Sequence, residues 1–244
     1  MIIGINATAA FTKPRTGVEE YVYQLIKHLA ALEGAKEHRF ILYHPNTNDT
    51  NYARMTRILP ENFELKELKW PLPMWTQVRL ASEMALNKPD VLFIPVHILP
   101  LIHPRNSVVT IQGLEHERYP EVYPKKHLVY LRWATKYASK KARKIIVPSE
   151  STKKDLTELY RVNPDKIHVI HHGVRHPMSN MQETNKYILF IGRLEKKKNI
   201  EGIISAFELL KKKYQVPHKL VLAGPRGYGY KKIRNNDIVE TGYI

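Results

Sequence analysis

Cysteine is absent from the 244 residues of this chain. Its absence excludes disulfides, zinc sites with cysteine ligands and catalysis by a thiol nucleophile. Disulfides are typical of oxidising compartments, so a chain without them fits the cytoplasm. We therefore expect a cytoplasmic protein.

Long apolar runs are missing as well. The longest covers residues 91–102 and is interrupted by Pro95, His97 and Pro100. A helix that crosses a bilayer needs ~20 apolar residues, so no membrane span is predicted. The N-terminus has no basic leader before its apolar run, and we expect no secretory signal.

Acidic residues are few compared with basic ones. The chain has 39 Lys and Arg against 23 Asp and Glu, which gives a formal net charge of +16. A protein with this excess is attracted to polyanions, whether nucleic acid, anionic lipid headgroups or phosphorylated substrates. The charge does not choose among these partners.

The chain does have a regular alternation of short β-branched or aliphatic runs with stretches of helical periodicity. The runs predict strands at residues 2–5, 40–43, 63–68, 91–94, 108–111, 145–147 and 167–170. Helical spacing is found at residues 18–32, 75–86, 127–142 and 152–160. This alternation predicts an α/β fold, in which a mainly parallel sheet carries helices on both faces.

Residues 173–186 break the alternation. The segment is polar, has no periodicity and contains Gly and Pro, so we interpret it as a linker between two domains, residues 1–172 and 187–244. The second domain is predicted to have strands at 187–191, 220–223 and 237–240. A doubly wound domain usually has ~100–150 residues, so we expect the second domain to be incomplete.

The segment FIGRLEKKKN, residues 190–199, is a candidate anion site. Gly192 permits a turn after a strand, and Asn199 can cap the helix that follows. Arg193 and Lys198 then lie near the free N–H groups of that helix, a position that suits a pyrophosphate. The alternative is a solvated lysine cluster.

The segment TKPRTGVEEY, residues 12–21, is a second candidate anion site, at the first strand-to-helix turn. Thr16 is a candidate cap, and Gly17 allows a ligand close to the backbone. An ordinary loop is the alternative. The glycine-rich segment AGPRGYGYKK, residues 223–232, does not match the dinucleotide fingerprint and is weak evidence for a nucleotide.

Four histidines at positions 168, 171, 172 and 176 suggest a metal site, but their spacing is not that of a helical zinc motif. We interpret them as a strand end that runs into the linker, and no metal site is predicted.

Residues 125–144 contain eight Lys or Arg and no acidic residue. Four of these cations are spaced four residues apart, which predicts one basic stripe on a helix: Arg132, Lys136, Lys140 and Lys144. Aromatic residues lie beside the stripe: Tyr130, Trp133 and Tyr137. The stripe suits anionic headgroups or a phosphate backbone. The alternative is a surface helix with buried aromatics and a solvated basic face.

Together these segments resemble the family 4 retaining glycosyltransferases, and most closely the bacterial mannosyl- and glucosyltransferase branch. The stretches that carry the resemblance are TGVEEYVYQLIKHLA, VVTIQGLEHERYPEVYP, ARKIIVPSESTKKDLTELYRVNPDKIHVIHHGV and FIGRLEKKKNIEGIISAFELL with KLVLAGPRGYG. The resemblance implies the GT-B fold of two facing Rossmann-like domains. Residues 1–172 would form the acceptor-side domain, and residues 187–244 part of the nucleotide-sugar-binding domain.

The resemblance also implies an activity, which is transfer of a sugar from a UDP- or GDP-linked donor with retention of anomeric configuration and without a metal or other cofactor. Gly17 would face the donor phosphates, and Arg193 with Lys198 would bind the pyrophosphate. The expected partners are the nucleotide sugar, a glycan or lipid-linked acceptor and an anionic membrane surface on the inner face of the cell membrane, but not nucleic acid.

Two departures from the family pattern affect the site. Gln112-Gly113 stands where many members have His-Asp. Gln112 can hydrogen-bond a sugar hydroxyl but cannot act as a base, and His116 is a second candidate catalytic residue. The sequence also ends before two glutamates that the family uses at the donor, so we expect the chain by itself to be inactive.

Two other functions stay open. One is another GT-B enzyme, such as a nucleotide-sugar epimerase or a phosphorylase. The other is a non-catalytic basic module that binds membrane or nucleic acid.

Overall fold

The computed structural model describes residues 1–12, 15–45, 50–70, 74–174, 187–233 and 235–243. These residues form two compact α/β units. The first unit contains Met1–Arg118 and Lys125–Gly173, and the second contains Tyr119–Pro124 and Val174–Ile244. Most of the predicted linker, residues 175–186, lies outside the described residues.

The first unit is built on a seven-stranded sheet in the order β3-β2-β1-β4-β5-β6-β7. Its strands are β1 (Ile2–Asn6), β2 (Arg39–His44), β3 (Phe63–Glu67), β4 (Val91–Ile94), β5 (Ser107–Thr110), β6 (Lys144–Val147) and β7 (Ile167–Val169). Every pairing is parallel, as predicted. The strand order reverses between β1 and β4, and ligands of open α/β sheets bind at the carboxyl ends beside such a point.

Helices connect these strands. They are α1 (Gly17–Ala30), α2 (Thr50–Thr56), a π-helical turn (Thr76–Leu80) that continues into α3 (Ala81–Leu86), α4 (Glu115–Arg118), α5 (Lys125–Lys141) and α6 (Glu150–Tyr160). Neighbouring residues of β4 belong to two different hydrophobic clusters. Ile94 packs in the cluster that includes Ala138 of α5, and Phe93 packs against the cluster that includes Val22 of α1. Side chains alternate along a strand, so both faces of the sheet are covered.

The second unit has a three-stranded parallel sheet in the order β10-β9-β8. Its elements are β8 (Tyr187–Ile191), α7 (Ile200–Tyr214), β9 (Lys219–Ala223) and β10 (Ile238–Gly242). One face of α7 buries Ile200, Ile204 and Phe207 against Leu220 and Leu222 of β9. The strands and the helix predicted for this part of the chain are confirmed.

The predicted position of Lys144 on a helical basic stripe is wrong. Helix α5 ends at Lys141, and Lys144 is the first residue of β6. The backbone N–H of Arg143 donates to the carbonyl of Ser107 at 2.8 Å, so the chain has already joined the sheet at this point. The ammonium group of Lys144 donates to the carbonyl oxygen of Asp165 at 3.1 Å.

Within the described ranges, no helix has both the length and the hydropathy that a bilayer crossing requires.

Candidate functional site

Within the described ranges, the start of α1 leaves space beside Gly17. Thr16 precedes the helix with an extended backbone, and the Glu19 carboxylate accepts from its N–H at 2.9 Å and from its hydroxyl. This arrangement fixes the first turn. Gly17 is the first helical residue, and the described structure places no atom within 4 Å of where its Cβ would be. The phosphate-facing role of Gly17 stays a prediction.

Tyr21 ties the first turns of α1 to the carboxyl edge of the sheet. Its hydroxyl lies 3.3 Å from Oγ1 of Thr110, at the end of β5. Its ring stacks on His172, which follows β7, with 4.7 Å between centroids. Burial raises the pKa of Tyr21, and the contact with Thr110 only partly opposes that effect. The open helix start is therefore held in place at the edge where ligands of this fold class bind.

Gln112 lies at the same edge. It follows β5, is half-buried and donates from Nε2 to the carbonyl of Pro95 at 3.4 Å. The next carbonyl, that of Gly113, accepts from Nε2 of His97 at 3.3 Å. Pro95 and His97 follow β4, so the structure joins the segments after two adjacent strands beside the point where the strand order reverses.

His97 is a site candidate that the sequence analysis did not select. It lies inside the apolar run at residues 91–102, and only the pairing of its ring with Gly113 shows that it reaches the carboxyl edge. Burial lowers the pKa of His97, and the contact with the Gly113 carbonyl only partly offsets this effect. Near neutral pH its imidazole is therefore uncharged, and the single proton of the ring, on Nε2, is donated to the Gly113 carbonyl.

His116, the second candidate catalytic residue, is buried against α5. Its side chain is 3% exposed, and Nε2 lies 3.5 Å from Oγ1 of Thr135. Burial lowers its pKa, and the nearby Glu117 carboxylate opposes that change. Burial of this kind is typical of a histidine that joins helices, and the catalytic role stays a prediction.

Glu117 fixes the segment that carries Gln112 and His116. Its carboxylate accepts from Nε of Arg132 at 3.0 Å and from the hydroxyl of Tyr160. It therefore ties α4 to both α5 and α6. One consequence is that the guanidinium of Arg132, predicted to face a membrane, is already paired with an acid.

In the second unit, the loop between β8 and α7 presents the two cations predicted to bind a pyrophosphate. Arg193 and Lys198 are both exposed in this loop. Asn199 caps α7 as predicted, with its side chain accepting from the N–H of Gly202 at 3.3 Å. Among the described residues, neither cation has a side-chain hydrogen bond or an ion pair. The two charges are thus available beside a helix N-terminus, which favours an anion.

The loop after β9 runs alongside the loop after β8. Leu194 donates to the carbonyl of Pro225 at 2.9 Å, and Gly227 donates to the carbonyl of Leu194 at 2.7 Å. A Cβ at Gly227 would lie 2.9 Å from both Cγ and Cδ of Arg193. The stem of Arg193 therefore lies directly over Gly227. The glycine-rich segment, which the sequence analysis considered weak evidence, supports the predicted anion-binding residue.

Arg226, in the loop after β9, is already neutralised. Arg226 donates from two guanidinium nitrogens to Oε2 of Glu240, at 3.0 and 2.9 Å, and the hydroxyl of Tyr230 donates to Oε1 at 2.9 Å. Burial by itself would raise the pKa of Glu240, but these hydrogen bonds outweigh it and hold the pKa below its ordinary value. Arg226 is therefore engaged by a permanent negative charge, unlike Arg193.

The histidines near the end of β7 have separate partners. His171 donates from Nδ1 to the carbonyl of Pro148 at 2.9 Å, and His172 stacks on Tyr21. His176 lies outside the described residues. In the part of the chain that the structure describes, no three side chains of His, Asp or Glu come together as metal ligands would.

Comparison with known families matches both units. Residues 15–176 match the model of the family Glycosyltransferase Family 4, and residues 175–238 match that of Glycosyl transferases group 1. The O-antigen chain mannosyltransferase B of Escherichia coli is 23% identical to this chain over 254 residues. The match covers 92% of this chain but 64% of the relative, so the chain spans slightly less than two thirds of that protein's length.

Two solved structures have a similar fold. One is the lipopolysaccharide outer core galactosyltransferase WaaB in its apo form, with a TM-score of 0.58, 13% identity, and coverage of 100% of this chain and 68% of that chain. The other is a glycosyltransferase from Rickettsia africae, with a TM-score of 0.56, 15% identity and the same coverages. At these identities the likeness concerns the fold, and the predicted GT-B fold class is confirmed.

Proposed function

Because this chain belongs to Glycosyltransferase Family 4, we propose that it acts in the transfer of a sugar from a nucleotide-sugar donor to a glycan or lipid-linked acceptor. The observation that supports this best is the pair of exposed cations, Arg193 and Lys198, in the loop that leads into α7. Neither pairs with an acidic group of the described chain. A diphosphate would supply the negative charge with which these two side chains can pair.

At the donor, the two cations act on the leaving group. Breaking the bond between C1 of the sugar and the phosphate oxygen leaves negative charge on a nucleoside diphosphate. Fixed positive charges that face this group stabilise the transition state more than the ground state, since the charge grows as the bond breaks. The N-terminus of α7 adds its partial positive charge at the same place.

This arrangement supports a reaction without a metal ion. Arg193 and Lys198 supply the positive charge that a divalent cation supplies in other phosphate chemistry. We therefore propose that the donor binds equally well when divalent ions are removed.

We propose that the anomeric configuration is retained. The acceptor oxygen bonds to C1 on the face from which the diphosphate leaves, and the acceptor proton passes to the departing phosphate oxygen. Gln112 cannot take up that proton, because an amide is not a base near neutral pH. Its amide is instead suited to hold a sugar hydroxyl at the carboxyl edge of the sheet.

The transferred sugar is proposed to be a hexose, and mannose is the first candidate. The E. coli relative is named as a mannosyltransferase, and this is the support for that choice. The nucleotide is UDP or GDP, and we place the reaction in the cytoplasm.

Isothermal titration calorimetry with UDP, GDP and their hexose conjugates tests the proposal. We expect one nucleoside diphosphate to bind, with the same affinity in EDTA and in Mg²⁺. Incubation with the matching nucleotide sugar and NMR of the mixture tests the alternatives, since we expect this chain by itself to transfer no sugar. Conversion to an epimer would identify an epimerase, and failure to bind any nucleotide would contradict the proposal.

A further inference from the structure

One surface of the first unit exposes several large apolar side chains side by side. They come from α5 and from the loop that follows β4: Leu101 (52% exposed), Ile102 (47%), Val129 (68%), Tyr130 (37%) and Trp133 (40%). We refer to these five residues as the α5 patch. Single exposed apolar residues are common on protein surfaces, but contiguous groups mark places where another surface binds.

Helix α5 divides its residues between two sides. Its buried side chains are Ala134, Thr135, Ala138 and Ser139. Trp133 lies on the opposite side and is the middle ring of a ladder, because it stacks on Tyr130 at 5.9 Å and on Tyr137 at 5.7 Å between centroids. The helix thus covers the sheet with small residues and exposes Tyr130 and Trp133, so the alternative of buried aromatics is wrong for these two residues. Tyr137 is partly buried and packs against the core.

The aliphatic part of the patch is held firmly beside this ladder. Tyr137 donates from its hydroxyl to the carbonyl of Leu101 at 2.9 Å. Gln77 accepts from the N–H of Leu101 at 3.1 Å and donates to the carbonyl of Leu99 at 3.2 Å. Leu99 itself is buried. The exposure of Leu101 and Ile102 therefore belongs to an anchored loop.

Three lysines share the exposed side of α5 with the aromatic rings. Lys126, Lys136 and Lys140 are exposed and lie three or seven residues from Val129 or Trp133, which places them on the same side of a helix. None of the three pairs with a carboxylate of the described chain. The patch is therefore apolar in its middle and positively charged around it, with no acid to neutralise it.

We propose that the α5 patch docks the protein on an anionic lipid bilayer. Leu101, Ile102 and Val129 enter the boundary between headgroups and acyl chains, and the aromatic rings lie at headgroup depth, where tyrosine and tryptophan are enriched. The lysines contact the anionic headgroups. Nucleic acid would satisfy the lysines but offers little to three exposed aliphatic side chains. The inference is independent of the donor and acceptor of the proposed reaction.

Co-sedimentation of the full chain with phosphatidylcholine vesicles, with and without phosphatidylglycerol, tests the inference. We expect binding only to the anionic vesicles and a steep loss as salt is added. The double substitution L101S/I102S keeps the charge and should weaken binding about tenfold, since two partly buried aliphatic side chains are lost. K136E/K140E should weaken it at least as much at low salt.

Matched control variants lie elsewhere on the molecule. Leu86 is 79% exposed at the end of α3, and Lys212 and Lys213 are exposed on α7. L86S and K212E/K213E should bind anionic vesicles as the unmodified chain does. Circular dichroism on every variant verifies folding.

Three results would overturn the inference. One is the absence of binding to anionic vesicles at low salt. Another is unchanged binding of both L101S/I102S and K136E/K140E. The third is self-association by light scattering that L101S/I102S abolishes while vesicle binding persists, which would assign the α5 patch to a second copy of the chain.

Discussion

Gly224 lies directly against the backbone of Gly192 in the second unit. A Cβ on Gly224 would overlap the carbonyl oxygen of Gly192 and lie 2.7 Å from its carbonyl carbon. Both glycines have positive φ, +146° at Gly224 and +148° at Gly192, a conformation that residues with a side chain rarely adopt. Because neither residue has a side chain, the ends of β8 and β9 approach each other closely. The loops that follow these two strands, one of which contains Arg193, therefore also lie close together.

Gly224→Ala should destabilise the second unit. The strained backbone by itself costs about 1–3 kcal/mol, and the overlap with a carbonyl adds to it. Differential scanning calorimetry should show a lower unfolding temperature. Gly34→Ala is the control, because no atom lies within 4 Å of its Cβ position. Equal unfolding temperatures for the two variants would show that the close approach is not required.

Gly227→Ala should weaken binding of a nucleoside diphosphate severalfold by displacing the stem of Arg193. A Cβ 2.9 Å from Cγ and Cδ of that side chain forces it to move. The coupling is measured by a double-mutant cycle in calorimetry. In the Arg193→Ala background, Gly227→Ala should have no further effect. An equal loss in both backgrounds would mean that Gly227 does not act through Arg193.

The buried histidines of the first unit should make its stability depend on pH. Burial lowers the pKa of His116 below its ordinary value near 6.5. Between the folded and unfolded pKa values the unfolded chain binds more protons, so the free energy of unfolding falls as pH decreases below about 6.5. His44 and His97 have shifts of the same sign.

His116→Gln should therefore reduce the drop in unfolding temperature between about pH 7.5 and about pH 5.5. His28→Gln is the control, because His28 is exposed on α1. A drop of the same size in His116→Gln and in the unmodified chain would show that His116 does not contribute.

The fold could be predicted because its strands are short apolar runs between turn formers. Each strand in the described part of the chain overlaps a predicted one. The helices that the sequence did not indicate include α2 and α4, of seven and four residues. Segments this short have too few residues to establish a helical period.

The site was less predictable because its contacts join distant parts of the chain. The four-residue spacing of the cations suggested that Lys144 continues a helix. The hydrogen bond from the N–H of Arg143 to the carbonyl of Ser107 shows that the chain has left the helix and joined the sheet. His97 is hidden in an apolar run, and its partner Gly113 is 16 residues away. The contact between Gly227 and Arg193 depends on the pairing of two loops, which periodicity does not reveal.

We propose that Arg193 and Lys198 form the diphosphate site of a glycosyltransferase. Titration calorimetry of UDP and GDP against the unmodified chain, Arg193→Ala, Lys198→Ala and the control Lys212→Ala tests it most directly. A charge-assisted contact contributes ~1.5–3 kcal/mol, so each of the first two variants should raise Kd about tenfold or more, and the control should not change it. An unchanged Kd for a folded Arg193→Ala would contradict the account.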